Sequence, residues 1–398
     1  MKIVLASEVI HPGGAETFIL RLAQALHNNG HDVRVFVFYN QLLNYELCRL
    51  IAPDVQVTPA AIPAYKLLSK IDGLLFRLKI DISLRDSYIR KTLNKLIKEQ
   101  GTEVIHSHLL KVDKLCLDVC TPLNIPVVNT IHGDYLQFFN KTKNNIPIPL
   151  LNYPTKAPHN LQRLAATVCI SDKQTAFFKE HFPNETANKI SKIYNGYTGE
   201  VTEQPDVLKQ QLGIDDTDFV FGMVSRGIPE KGWQVAINGF LKMNNTQSHL
   251  VLTGESGYLS KKKKKYSSEK RIHFTGHSDN PINWINIFDV GLLPSTYPSE
   301  SLPTVIIEYL YCHVPVIASD AGEIVNMTGQ AQHPAGQIVA IDNGEVSVDK
   351  IAAAMKRYLD TPALYDEHKN NTGLCYRMFD MNKCVEAYTE VYQKAINR

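Results

Sequence analysis

The stretch LPSTYPSESLPTVIIEYLYCHVPVIASD, residues 293–320, predicts a loop, a short helix and a buried strand in that order. Pro298 and Ser299 are typical of a loop. Pro303 suits the first turn of a helix, because proline lacks the N–H that a helix start leaves unpaired. The apolar run from Val314 to Ala318 is typical of a buried β-strand. A helix that leads directly into a buried strand favours an α/β fold.

Two glutamates in this stretch are separated by seven residues: Glu300 on the loop, and Glu308 about one and a half turns into the helix. The helix start between them offers unpaired N–H groups and the positive end of a dipole, which together form an anion site. A carboxylate cannot hold a phosphate, but it accepts hydrogen bonds from sugar hydroxyls, each worth roughly 1.5–3 kcal/mol. The pattern therefore predicts a sugar nucleotide as the ligand.

The Glu-x7-Glu spacing, followed by a helix and the strand PVIAS, resembles the signature of the family 4 retaining glycosyltransferases with the GT-B fold. The resemblance implies that Glu300 contacts the transferred sugar and that Glu308 holds the nucleotide ribose. Many members have glycines after the first glutamate, where this chain has Ser301 and Pro303. The backbone contacts to the diphosphate would be made by Leu302, Thr304 and Val305.

The composition excludes several other classes of protein. A chain of 398 residues suggests two or three domains. It has no run of about 18 apolar residues, and MKIVLASEVIHPGG is a strand and a turn rather than a secretory signal, so a cytoplasmic location is expected. Seven cysteines without a CxxC pair argue for reduced thiols and against a structural zinc site. With a net charge of +2, no nucleic-acid partner is predicted.

Residues 2–38 form a predicted β-α-β unit whose turn is Gly13-Gly14-Ala15-Glu16. Two glycines at such a turn allow another molecule to approach the backbone. A nicotinamide site would need G-x-G-x-x-G and an acidic residue at the end of the second strand, and both are missing, so no cofactor is predicted. The family resemblance places this turn between donor and acceptor, with Gly14 on the donor side and Gly13 and Glu16 on the acceptor side. The alternative is a tight turn without a ligand.

Three predicted strands, 103–108, 126–134 and 166–171, end in polar residues. The carboxyl ends of strands are where a doubly wound sheet binds ligands. His132 resembles a family histidine that contacts the donor sugar, and Asp134 could orient it. Two further histidines are candidates for the acceptor side or for a structural role: His106 and His108.

Between Lys66 and Lys98 there are nine basic residues against three aspartates, and leucines and isoleucines fall on one helix face. Such a segment can lie on an anionic bilayer, where each nearby Lys or Arg contributes about 1 kcal/mol. The charged outer face of a core-packed helix would show the same pattern. The resemblance favours the membrane interpretation, because family members often use lipid-linked acceptors, and it would make the protein peripheral on the inner face of the membrane.

A second α/β unit begins with DFVFGMVSRG, residues 218–227. Arg226 and Lys231 stand on the loop after its first strand and match the family's Arg and Lys that neutralise the donor diphosphate. Positive charge there stabilises the leaving group as the glycosidic bond breaks, so no metal site is predicted. The five lysines 261–265 are interpreted as a solvated loop.

The predicted architecture is two Rossmann-like, doubly wound parallel-sheet domains that face a cleft. The domains are 1–195 on the acceptor side, a linker at 196–212, 213–375 for the donor nucleotide, and 376–398 as a helix that crosses back to the first domain. The implied function is retaining transfer of a sugar from a nucleotide-diphosphate sugar to a glycan or lipid-linked glycan in cell-surface polysaccharide synthesis. The expected donor is a UDP-sugar. Two alternatives are a UDP-sugar 2-epimerase of the same shape and an inactive sugar-nucleotide-binding scaffold.

Overall fold

The computed structural model describes residues 1–78, 80, 82–108, 110–133, 135 and 153–398. The chain divides into two compact units. The first consists of Met1–Gly196 together with Met381–Arg398, and the second of Tyr197–Asp380. Each unit has a parallel β-sheet with helices around it, which confirms the predicted fold class of two Rossmann-like domains.

In the described part of the first unit, seven parallel strands form one sheet. The strands are β1 (Lys2–Ser7), β2 (Asp32–Val37), β3 (Gln56–Pro59), β4 (Val104–His108), β5 (Val127–Ile131), β6 (Ala166–Cys169) and β7 (Ile190–Lys192). Their order across the sheet is β3-β2-β1-β4-β5-β6-β7. The direction of winding therefore reverses between β1 and β4.

The helices that connect these strands are α1 (Gly14–Asn28), α2 (Tyr45–Ile51), α3 (Tyr65–Arg77), α4 (Leu84–Gln100), α5 (Leu110–Cys120), α6 (Tyr153–Arg163), α7 (Asp172–His181) and α8 (Pro183–Thr186). Helix α1 shows why the sequence folds this way. Phe18, Ile19, Leu22 and Leu26 recur at helical spacing, and all are buried against the sheet. Gly30, with φ of +81°, follows the end of this helix.

In the described part of the second unit, six parallel strands form the sheet. The strands are β8 (Phe219–Val224), β9 (Ser248–Thr253), β10 (Ile272–Gly276), β11 (Val290–Leu293), β12 (Val316–Ser319) and β13 (Gly336–Val339), with a small hairpin of β14 (Ile341–Asp342) and β15 (Glu345–Val346) beside it. The order is β10-β9-β8-β11-β12-β13, so the winding reverses between β8 and β11. A reversal of this kind is where doubly wound sheets bind ligands.

The helices of the second unit are α9 (Pro205–Leu212), α10 (Trp233–Met243), α11 (Gly257–Lys265), α12 (Pro281–Ile285), α13 (Thr304–Tyr311), α14 (Ile324–Met327), α15 (Val348–Asp360) and α16 (Pro362–Tyr376). The last helix, α17 (Met381–Ile396), belongs to the first unit. It packs Val385, Tyr388 and Tyr392 into the same core as β1 and α1.

Two segments differ from the expected local structure. Residues 196–212, predicted as a linker, contain α9, because Pro205 is well suited to a helix start and Gly213, with φ of +66°, ends the helix. The five lysines 261–265 lie in α11 rather than in a loop. Ser256 caps that helix by accepting a hydrogen bond from the Leu259 N–H at 3.1 Å.

The basic segment between Lys66 and Lys98 forms α3 and α4, which are joined through Asp72. The buried Asp72 carboxylate accepts hydrogen bonds from Arg85 Nε at 2.7 Å and from the Leu84 N–H at 2.7 Å. The apolar side chains of α3 and the following turn are largely exposed: Leu67 (59%), Leu74 (57%), Phe76 (54%) and Leu78 (61%). Among the described residues, no helix is both long and apolar enough to cross a membrane.

Candidate functional site

The loops that follow β8 and β11 meet at the point where the second sheet reverses its winding. The Thr296 N–H donates to the Glu230 carbonyl at 2.8 Å, which ties the two loops together. Gly232 has φ of +86°, and a Cβ atom there would lie 2.1 Å from the Pro294 carbonyl oxygen. Only glycine therefore permits this close approach of the two loops.

Lys231 and Glu300 form a buried ion pair across these loops. Lys231 Nζ lies 2.6 Å from Glu300 Oε2, and the two residues are 7% and 9% exposed. The same carboxylate oxygen accepts a hydrogen bond from Ser295 Oγ at 2.8 Å. Two residues that are 69 positions apart in the chain are thus held at one place, each compensating the other's buried charge.

Tyr297 brings the second predicted cation to this place. The Arg226 guanidinium carbon and Lys231 Nζ each lie 5.1 Å from the centroid of the Tyr297 ring. The Arg226 carbonyl accepts a hydrogen bond from Trp233 Nε1 at 2.9 Å, which fixes the backbone of this loop on α10. Arg226 and Lys231 therefore lie against one aromatic ring, and Lys231 in turn pairs with Glu300.

Helix α13 begins next to this cluster. It starts at Thr304, with Pro303 as the preceding cap residue, whose side chain makes no capping hydrogen bond. Tyr309 anchors the helix at the reversal point, because its hydroxyl accepts from the Val224 N–H at 3.1 Å and donates to the Leu292 carbonyl at 3.2 Å. Glu308 is buried on the same helix.

A glycine supports the loop that carries Glu300. Gly322 has φ of +59°, and a Cβ atom there would lie 2.6 Å from the Ser301 carbonyl oxygen and 2.7 Å from that of Glu300. The Glu323 N–H donates to the Ser301 carbonyl at 2.8 Å. The segment after β12 therefore packs against the Glu300 loop and holds it in place through backbone contacts.

In the first unit, the predicted histidines form a row at the carboxyl ends of β4 and β5. The ring centroids of His106 and His108 are 4.1 Å apart, and those of His108 and His132 are 5.1 Å apart. His108 Nδ1 lies 2.8 Å from His132 Nε2. Asp134, which was expected to orient His132, lies outside the described residues.

Tyrosines from the last helix hold the inner end of this row. His106 Nδ1 lies 2.7 Å from the Tyr392 hydroxyl, and His106 Nε2 lies 2.7 Å from Thr130 Oγ1. Thr130 Oγ1 is in turn 2.9 Å from the Tyr388 hydroxyl. Both ring nitrogens of His106 are therefore bonded within the first unit, as expected for the structural one of the two roles that the sequence left open.

Burial keeps the three rings neutral at pH 7. It lowers the pKa of His106 to about 3 and that of His132 to about 4, and it lowers the pKa of His108 well below the ordinary value of 6.5. The charged form of a histidine loses hydration energy when the ring is buried, and this loss dominates at all three rings. Neutral imidazoles can still donate or accept hydrogen bonds.

The glycine turn of the first unit lies beside this row. Gly13 is the extended residue before α1, and Gly14 is the first residue of that helix. The Glu16 carboxylate folds back over the turn, so that a Cβ atom on Gly13 would lie 2.5 Å from Glu16 Oε2. Phe18, two residues further along, packs edge-on against the His132 ring at 5.9 Å.

The structure thus assembles two groups of predicted residues, one in each unit. Several side chains that fix these groups were not predicted as site residues, because their partners are distant in sequence and no local motif marks them: Ser295, Tyr297, Gly322, Thr130, Tyr388 and Tyr392. In the part of the chain that the structure describes, no group of three or more His, Cys, Asp or Glu side chains is arranged to hold a metal ion.

Two family models match the chain. The model of glycosyltransferase family 4 matches residues 12–198, and the model of glycosyl transferases group 1 matches residues 205–373. Together they account for most of the two units. The lipopolysaccharide core biosynthesis mannosyltransferase LpsB of Rhizobium meliloti is 24% identical over 198 residues, which are 46% of this chain and 54% of LpsB. The chain therefore aligns with about half the length of this curated relative.

Solved structures resemble the whole chain. The Anabaena protein HepE, solved in complex with UDP and glucose, is 18% identical with a TM-score of 0.75 over 99% of each chain. A glycosyltransferase from Rickettsia africae is 17% identical with a TM-score of 0.73 over 99% of this chain and 98% of that one. At these identities the likeness shows the fold.

Proposed function

Since this chain belongs to the family 4 glycosyltransferases, which have the GT-B fold, we propose that it is a retaining hexosyltransferase. It moves a sugar from a nucleotide-diphosphate sugar, a UDP-sugar, to a glycan or lipid-linked glycan in cell-surface polysaccharide synthesis. The observation that carries the proposal is the buried Lys231–Glu300 pair, with Arg226 beside it, at the winding reversal of the second sheet. The UDP bound in HepE and the lipopolysaccharide role of LpsB support the donor and the pathway class.

The donor would lie against the second unit. Arg226 and Lys231 neutralise its diphosphate, and the amides at the start of α13, at Leu302, Thr304 and Val305, donate to the phosphate oxygens. Further along that helix, Glu308 accepts hydrogen bonds from the ribose hydroxyls. Glu300 accepts hydrogen bonds from the hydroxyls of the transferred sugar, to which its pairing with Lys231 and Ser295 directs it.

Transfer then needs one bond to break and one to form. The bond between the anomeric carbon and the diphosphate oxygen breaks while the acceptor oxygen bonds to the same carbon on the same face, which retains the configuration. The acceptor hydroxyl proton passes to the leaving diphosphate oxygen. Negative charge grows on that oxygen, so Arg226 and Lys231 stabilise the transition state more than the ground state and supply the charge that a metal ion would otherwise provide.

The acceptor would lie against the first unit. As the family resemblance implies, His132 contacts the donor sugar and Gly14 lies on the donor side, whereas Gly13 and Glu16 border the acceptor. The exposed leucines of α3, set among Lys66, Lys70 and Arg77, form a surface that suits an anionic bilayer and would hold the enzyme near a lipid-linked acceptor on the inner face of the membrane.

A thermal-shift screen with UDP-, GDP- and ADP-sugars tests the donor. A true donor should raise the melting temperature, because a ligand that binds only the folded state stabilises it.

Glu308→Gln should weaken UDP-sugar binding roughly tenfold or more, the value of one charge-assisted bond. NMR of the product should show that the transferred sugar has the same anomeric configuration as in the donor. Addition of EDTA should leave the rate of sugar transfer unchanged. A rate lost to EDTA and restored by Mg²⁺, or an inverted product, would contradict the proposal.

A further inference from the structure

One ring nitrogen in the histidine row has no hydrogen-bond partner among the residues that the structure describes. His108 is fully buried, its Nδ1 is bonded to His132 Nε2, and within the described residues nothing hydrogen-bonds to its Nε2. His106, one ring away, has both nitrogens bonded. Buried polar groups are nearly always paired, so an exception in a ring that contacts His132 calls for a physical explanation.

One proton lies between the two bonded nitrogens, and it can belong to either ring. If His108 holds it on Nδ1, His108 donates to His132 and has an unmatched lone pair at Nε2. If His132 holds it on Nε2, His108 must carry its own proton on Nε2 as a buried N–H with no acceptor. Both rings are neutral, as their lowered pKa values require, so the two rings share only two ring protons. A third proton, which would satisfy the hydrogen bond and His108 Nε2 in both arrangements, is therefore not available.

The two arrangements differ in cost. A buried N–H without an acceptor is the rarer defect in proteins, and an acceptor that receives no bond is tolerated more often. Neutral imidazole in water prefers the proton on Nε2, which opposes the first arrangement. The complete burial of His108 weighs against the second, because water cannot reach its Nε2 to accept from it.

We propose that His108 is a positioning residue that donates from Nδ1 to His132 and thereby holds His132 with its proton on Nδ1. The Nε2 lone pair of His132 is then occupied, which leaves its Nδ1–H to donate to a ligand. His132 therefore donates a hydrogen bond to an oxygen and cannot take a proton as a base. That this oxygen belongs to the donor sugar rests on the proposed function, whereas the proton position does not.

The proton positions can be measured without a substrate. Long-range ¹H–¹⁵N correlation NMR on the full chain, labelled with ¹⁵N-histidine, distinguishes the two neutral forms of each ring, and His132→Gln and His108→Asn assign the signals. We expect His132 to carry its proton on Nδ1 in the unsubstituted protein. A His132 ring protonated on Nε2 would overturn the proposal, even if sugar transfer is observed.

Two variants test the role of His108. In His108→Asn the side-chain amide can donate from near the position of Nδ1. His132 should therefore keep its proton on Nδ1, and the KM for the sugar donor should not change. In His108→Phe the hydrogen-bond donor at this position is lost, and His132 should change to the Nε2–H form. The kcat/KM for the sugar donor should fall roughly tenfold, the value of one hydrogen bond. Equal losses in both variants with an unchanged His132 spectrum would show a merely structural role.

Discussion

At the scale of single residues, the pairing of Lys231 with Glu300 matters most. Each charge is buried, and each is compensated by the other at 2.6 Å. Removing one partner of such a pair leaves an uncompensated charge in a place that water does not reach, whereas removing both charges is often nearly neutral. The pair therefore links folding stability to the proposed donor site, and the two effects can be separated by substitution.

Lys231→Met should lower the free energy of unfolding of the second unit by about 3 kcal/mol, because Glu300 loses its cation. Adding Glu300→Gln should restore most of that stability, since the amide oxygen still accepts from Ser295. Sugar transfer should stay reduced by roughly 10²-fold or more in both, because the leaving group has lost its cation. Urea unfolding and initial rates measure the two quantities. Activity that returns together with stability in the double variant would show that Lys231 has only a structural role.

The sequence allowed Glu300, Lys231 and Arg226 to be proposed as site residues one by one, because each stands in a local pattern of loop, helix and strand. It did not allow the ion pair to be predicted, since its partners are 69 residues apart and meet only when β8 and β11 are neighbours. The bonds from His106 to Tyr392 and from Thr130 to Tyr388 were unpredictable for the same reason. The spacing of Tyr388 and Tyr392 by four residues indicates only that the two share one face of a helix.

At the scale of secondary-structure elements, the segment after β12 determines where the Glu300 loop lies. Gly322→Ala should disturb that loop, because the new Cβ would meet the Ser301 and Glu300 carbonyl oxygens at 2.6 and 2.7 Å. Gly344→Ala is the matched control, since Gly344 also has a positive φ, of +82°, but has open space around it. Both should lose about 1 kcal/mol of stability from backbone strain.

Only Gly322→Ala should affect transfer. A displaced Glu300 loop should lower kcat/KM for the donor by roughly 10-fold to 10²-fold, the usual consequence of a misplaced catalytic group. Steady-state kinetics with varied donor, beside thermal melts of both variants, decide this. Equal activity in the two variants at equal stability would show that the contact between Gly322 and the loop is unimportant for the site.

Helix α3 presents the second prediction at this scale. Replacing Leu67, Leu74 and Leu78 by serine should abolish flotation with vesicles of anionic lipid, because these exposed side chains supply the apolar contact area. Binding by the unsubstituted protein should weaken with salt, since Lys66, Lys70 and Arg77 supply the charge. The control is Lys263→Glu with Lys264→Glu on α11, which is more basic than α3 but lacks its exposed leucines, and this change should leave flotation unchanged. Absence of flotation by the unsubstituted protein at low salt would rule out the membrane interpretation.

The sequence predicted the apolar face of α3 but left open what that face contacts. Periodicity reports which side chains share a face, and it does not report whether that face meets the core or the solvent. The structure decides this for Leu67 and Leu74, which are more than half exposed, while Leu68 packs on the core of the first unit. Sequence reasoning was more successful with the parallel sheets, because buried parallel strands are marked by continuous apolar runs.

At the scale of the whole molecule, each unit has its own core, and the two cores differ in their response to acid. A histidine whose pKa is lowered by burial contributes stability that is present above about pH 6.5 and is lost as the pH falls, because the unfolded chain takes up the proton. In the described part of the first unit there are four such residues, His31 and the three of the histidine row: His106, His108 and His132. The second contains two: His273 and His368.

Asp113 has the opposite effect in the first unit. Burial raises its pKa to about 6, so its carboxyl destabilises the fold at pH 7, and acidification relieves that cost. Between pH 7 and pH 5 each histidine of the row should remove about 2 kcal/mol, while Asp113 should return about 1 kcal/mol. The first unit should therefore lose about 4–5 kcal/mol, and the second unit should lose less.

Urea unfolding at pH 7 and pH 5, followed by a brief protease pulse and mass spectrometry of the fragments, measures the two units separately. Fragments from residues 1–196 should become susceptible at lower urea at pH 5, and those from 381–398 should follow them, because the last helix is part of the same core. His106→Gln should reduce the pH-dependent loss in the first unit by about 2 kcal/mol, whatever it costs at pH 7. His27→Gln, on the exposed end of α1, is the control. If residues 381–398 lost protection together with 197–380, or if His106→Gln left the pH dependence unchanged, the assignment of acid sensitivity to the histidine row would be wrong.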